Sequence, residues 1–84
     1  MKVKNLIKKL EKMDQNAEVV MSIDPEGNGY SSLKQILEDM GFVEEEGEIY
    51  INKLTKKDRE EGFSEMDLGD LKDPNRVNCI VFYP

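Results

Sequence analysis

The side chains that could do chemistry in this chain are few. Histidine is absent, which removes the commonest general base and the commonest zinc ligand. Cys79 is the single cysteine and lies in the apolar run Cys79-Ile80-Val81-Phe82, where a thiol is expected to act as a small buried hydrophobe rather than a nucleophile. Ser22, Ser31, Ser32 and Ser64 have no histidine to activate them. The 18 acidic residues offer many carboxylate pairs, but none stands in a recognisable catalytic context, and a solvated acidic face is the expectation. No catalytic residue, cofactor or metal ligand is assigned.

The sharpest local pattern is Asp24-Pro25-Glu26-Gly27-Asn28-Gly29. Oxygen-bearing side chains at alternate positions, with glycine sixth, resemble a calcium loop. The twelfth position, however, is Gln35 rather than a bidentate glutamate, and a strand leads into the segment. A plain strand-to-helix turn is the competing and preferred reading. Gly27-Asn28-Gly29 also lacks the lysine and further glycine of a phosphate-binding loop. The candidate binding residues are therefore polar and aromatic groups suited to contact rather than catalysis. They are Asp24, Glu26, Asn28 and Tyr30 around the glycine loop, the acidic run Glu44-Glu45-Glu46, and Tyr83 near the end.

The elements that position these residues follow from periodicity. Val3, Leu6, Ile7, Leu10 and Met13 fall at helical spacing and predict a first helix over about residues 2–13, with lysines on its other face. Val19, Met21 and Ile23 alternate and predict a strand. Ser32 with Gln35 fits a capping box, and Leu33, Ile36, Leu37 and Met40 predict a second main helix closed by Gly41. Ile49 and Ile51 mark a strand over 48–52. Thr55 with Asp58, then Ser64 with Asp67, predict two short helical starts. The run Val77–Tyr83 is apolar on both faces and predicts the central strand of the sheet. The expected fold class is α+β: a small three-stranded β-sheet packed against two main helices plus one or two short helices, as a single domain over 1–84.

The totals narrow the class. A chain of 84 residues buries only about 60–65% of its unfolded surface, so its core is thin. With one cysteine and no run approaching the roughly 20 apolar residues of a membrane span, a reducing cytoplasm is the expected compartment. The net charge is −6, which disfavours direct binding to nucleic acid or to an anionic membrane and favours a basic protein surface as partner. The lysine-rich first helix is too short and too poor in large aromatics for a membrane anchor.

Four segments then stand in order: Asn16-Ala17-Glu18-Val19-Val20 after the first helix, Glu26-Gly27-Asn28-Gly29-Tyr30, Leu54-Thr55 through Glu61-Gly62-Phe63-Ser64-Glu65-Met66-Asp67, and Cys79-Ile80-Val81-Phe82-Tyr83-Pro84. In this order they resemble a family of small uncharacterised accessory proteins of tailed phages and prophages. The turn Asp14-Gln15-Asn16 departs from that family's proline-containing turn. The resemblance implies a protein made in the cytoplasm of a bacterial host, with no activity or site residue to carry over. The expected function is a non-enzymatic, acidic interaction protein that inhibits a host or defence protein by occupying a basic surface. The alternative is a small-molecule or nucleotide binding and sequestering protein, oligomeric so as to build a pocket. An enzyme and a structural virion part stand behind both.

Overall fold

The computed structural model describes residues 1–84. The element order is α1 (Val3–Leu10), β1 (Val20–Ser22), β2 (Tyr30–Ser32), β3 (Gln35–Val43), β4 (Glu48–Ile51), α2 (Lys56–Glu60), a 3₁₀ turn (Glu65–Leu68) and β5 (Arg76–Tyr83). The elements group into two compact units, residues 1–33 with Pro84, and residues 34–83. No helix is long and apolar enough to cross a membrane.

In the first unit, α1 forms where the apolar stripe Val3, Leu6, Ile7 and Leu10 predicts it, with Lys8 and Lys9 in its last turn complementing the helix dipole. It ends earlier than the expected residue 13. Beyond its last turn, Gln15 donates through Nε2 to the carbonyls of Leu10 (2.9 Å) and Met13 (2.8 Å), and Leu10 O also accepts Met13 N–H at 3.1 Å. Strands β1 and β2 form an antiparallel hairpin with Val20 opposite Ser32, Met21 opposite Ser31 and Ser22 opposite Tyr30. The bonds Ile23 N–H to Gly29 O (3.0 Å) and Leu33 N–H to Val19 O (3.1 Å) extend the ladder at both ends.

The second unit is a three-stranded antiparallel sheet of order β4-β3-β5. This corrects the expected fold class. There is one helix of more than five residues, not two main helices, and strands dominate. The segment expected to be the second helix is β3, the central strand, and β5, expected at the centre, lies at an edge. Ser32 therefore caps no helix: it ends β2, and Gln35 begins β3. Gly41 is a strand residue rather than a helix stop.

The cause of the misreading is a β-bulge. Leu37 pairs with Val81 and Met40 with Cys79, so three steps along β3 match two along β5. The extra residue sits at Glu38-Asp39, where Asp39 adopts φ 55. It converts the period-2 spacing of a strand into the apparent i, i+3 spacing of Leu37 and Met40, which mimics a helix.

Cross-strand partners share a face. One face of the sheet carries Leu37, Met40 and Phe42 from β3, Ile49 and Ile51 from β4, and Val77, Cys79 and Val81 from β5. The other face carries Gly41, Val43, Tyr50, Arg76 and Asn78. Val43, at 3% exposure, is the one buried hydrophobic residue of the chain. The 3₁₀ turn contacts β4. Both short starts carry the expected caps. Thr55 Oγ1 accepts from Asp58 N–H (3.1 Å) while the Asp58 carboxylate accepts from Thr55 N–H (3.0 Å). The Asp67 carboxylate accepts from Ser64 N–H at 2.8 Å.

Candidate functional site

The candidate residues fall into two groups, one in each unit, and each is described in its own surroundings. In the first unit, Asp24 organises the loop that joins β1 to β2. Its carboxylate accepts Glu26 N–H (2.9 Å), Asn28 N–H (3.2 Å) and Asn28 Nδ2 (2.9 Å). Asn28 Nδ2 also reaches Glu26 Oε2 at 3.2 Å. The Asn28 side-chain bond is the largest of the influences that hold the Asp24 carboxyl below its ordinary range. Proline at 25 and glycine at 27, with φ 75, supply the turn geometry.

This wiring bears on the calcium-loop resemblance. Both Asp24 oxygens are engaged by donors of the loop, and the Asn28 group facing the carboxylates is its NH₂ rather than its oxygen. Arranged so, the loop is an Asx-type turn that satisfies itself. No cluster of three or more His, Cys, Asp or Glu side chains has a metal-holding arrangement. Tyr30, 68% exposed, follows the loop with its ring lying along Gly27, whose missing Cβ leaves room for the phenol.

In the second unit, Glu44, Glu45 and Glu46 form the turn between β3 and β4, closed by Glu46 N–H and Gly47 N–H to Val43 O (3.2 and 3.0 Å). All are exposed, as is Glu48. Gly47 has φ 66, the left-handed position such a turn requires. Glu46 is drawn toward the sheet by Tyr50, whose hydroxyl donates to it at 3.3 Å. Partial burial first, then the negative Glu46, push the Tyr50 phenol above its ordinary value. The two ion pairs of the chain, Arg59–Glu65 (2.5 Å) and Lys53–Asp39 (4.0 Å), leave the acidic turn uncompensated. Tyr83, 39% exposed, ends β5 opposite Gln35.

Charge divides sharply between the units. Residues 1–33 hold five basic and five acidic side chains, net zero; residues 34–83 hold seven basic and thirteen acidic, net −6. The lysines in and beside α1 equal in number the acidic residues of their own unit.

A polar assembly that the sequence reading did not single out organises the sheet face beside this turn. Arg76 donates through Nη2 to Ile51 O (3.0 Å) and Asn52 Oδ1 (2.9 Å), and through Nη1 to Leu68 O (2.5 Å). Its guanidinium lies over the Tyr50 ring, and it crosses Gly41, where any Cβ would collide with Nε. The signal available in sequence was slight: an arginine just ahead of the Val77–Tyr83 run, and a glycine at 41 whose expected role was to close a helix.

A groove of about 400 Å³ lies within the first unit, lined by Leu10, Met13, Gln15, Ala17, Val19 and Val20 among others. It does not include Tyr30 or the glycine loop.

No protein-family model matches the chain, and neither a curated protein nor a solved structure matches it.

Proposed function

We propose that this chain is a small acidic interaction protein, of the phage-accessory kind its sequence resembles, that works without catalysis by occupying a basic surface of a host protein. The observation that carries the reading is the turn Glu44-Glu45-Glu46-Gly47-Glu48. It places four exposed carboxylates at the end of a hairpin in the unit that holds the whole net charge, with no cation paired to them. A hairpin end of this kind projects from the sheet, and its field steers encounter with a positive surface. Arg76 and Tyr50 brace the sheet beneath it, so the carboxylates start from a preorganised turn and lose less entropy on binding.

The test is capture of partners from native lysate of a bacterial host at low and moderate salt, with wild type and with Glu44, Glu45 and Glu48 changed to lysine. A stoichiometric partner held by wild type, lost as salt rises and lost in the charge-reversed protein, supports the reading. A partner retained equally by both proteins and at both salts rejects the electrostatic mechanism.

A second reading, a small-molecule binder, draws on the groove of about 400 Å³, which is within the size range of ligand pockets. Its lining is mainly aliphatic, and its charged members are Asp14 and Glu18, so it suits an uncharged apolar ligand rather than a nucleotide.

A further inference from the structure

We infer that Asn28 is a site of spontaneous deamidation, in which the backbone nitrogen of Gly29 attacks the Asn28 side chain and water completes the conversion to aspartate and isoaspartate. This inference is independent of the interaction reading.

Asn28 is the one asparagine followed by glycine; the others precede Leu6, Ala17, Lys53, Arg76 and Cys79. A side chain on the following residue shields the attacking nitrogen, and glycine has none. Asn28 is exposed and lies outside any strand or helix. Gly29 N–H donates no hydrogen bond, while its carbonyl is held by Ile23 N–H at 3.0 Å. The nucleophile is therefore unengaged in an anchored turn. In the reaction the Gly29 nitrogen bonds to Asn28 Cγ, the side-chain nitrogen leaves as ammonia carrying the displaced proton, and a cyclic imide forms. Water then opens the imide at either carbonyl, giving a carboxylic acid. The net change is amide plus water to acid plus ammonia, with no oxidant or reductant.

The location makes the product consequential. Asn28 Nδ2 is a donor placed between Asp24 Oδ2 (2.9 Å) and Glu26 Oε2 (3.2 Å). Deamidation replaces that donor with a third carboxylate, so two attractions become two repulsions. The bond that chiefly depresses the Asp24 pKa disappears, and the turn closing β1 and β2 loosens. The same two bonds restrain the Asn28 side chain, so releasing them should speed the reaction.

The experiment is incubation of the folded protein at mildly alkaline pH and 37 °C, with peptide mapping that distinguishes aspartate from isoaspartate. Wild type, Gly29→Ala and Asp24→Ala are compared, with wild type in denaturant as the control for the chemistry. The Cβ added by Gly29→Ala meets only the Ile23 side chain, tightest at its terminal Cδ1 (2.9 Å) and next at Cγ1 (3.4 Å), so that variant is expected to fold. The expected result is conversion at Asn28 ahead of every other asparagine, severalfold slower in Gly29→Ala and faster in Asp24→Ala. If Asn28 survives in the folded protein while the denatured chain converts, or if other asparagines convert as fast, the inference fails.

Discussion

Arg76 lies over Tyr50 with its guanidinium carbon 5.4 Å from the ring centroid. The stacking is one part of a larger clamp: the two fork ends of Arg76 reach carbonyl oxygens on β4, at the last residue of the 3₁₀ turn and just beyond it. A side chain with several fixed donors can tie together segments that are far apart in sequence. Replacing it with alanine leaves those acceptors without their donors and removes the cation–π contact. Arg76→Ala should cost about 3 kcal/mol, read as a lowered urea midpoint. Arg76→Lys should recover only part of this, because an ammonium cannot span both ends of the fork.

Gly69 is held against the same Tyr50 ring. Its backbone is at φ 60, ψ −154, a region that is essentially restricted to glycine. An added Cβ would also sit 2.5 Å from Tyr50 Cδ1. Gly69→Ala should therefore destabilise by about 2 kcal/mol or more, and Tyr50→Phe should leave it equally damaging. Equal stability of Gly69→Ala and wild type would contradict the observed backbone.

Asp39 tests the bulge. It has φ 55, accepts from Asn52 Nδ2 at 3.1 Å and sits 4.0 Å from Lys53 Nζ. Asparagine tolerates this conformation and keeps the acceptor, and the ion pair is exposed, so Asp39→Asn should change stability by less than about 0.5 kcal/mol. A β-branched residue is strained there, and Asp39→Val should cost about 1–3 kcal/mol. Thermal melts of the two variants decide it.

Acid should unfold the protein through identifiable carboxylates. Asp24, Asp58 and Glu65 all have lowered pKa values, chiefly through the Asn28 side chain, the Thr55 backbone and the Arg59 side chain respectively. A carboxyl whose folded pKa lies below its unfolded value stabilises the fold above the unfolded value. That contribution is lost as pH falls through the folded one. Stability should hold near neutrality and decline below about pH 4. Urea midpoints across that range check it, and a midpoint that stays level or rises on acidification contradicts it.

What the chain determined by itself were the features set by near neighbours. The apolar stripe of α1, the caps at Thr55 and Ser64, the loop at Asp24–Gly29, the acidic turn and the strand character of β5 all depend on spacings of a few residues, and each is present. Tertiary structure decided the remainder. Residues 35–43 form β3 because β5 pairs on either side of the Glu38-Asp39 bulge and β4 pairs with Met40 to Val43; without those partners, Ile36, Leu37 and Met40 read as a helix. Backbone pairing with distant strands supplied hydrogen bonds that overrode a local helical pattern. Arg76 acquired its role in the same way, from acceptors 24 and 25 residues back along the chain, which no local spacing encodes.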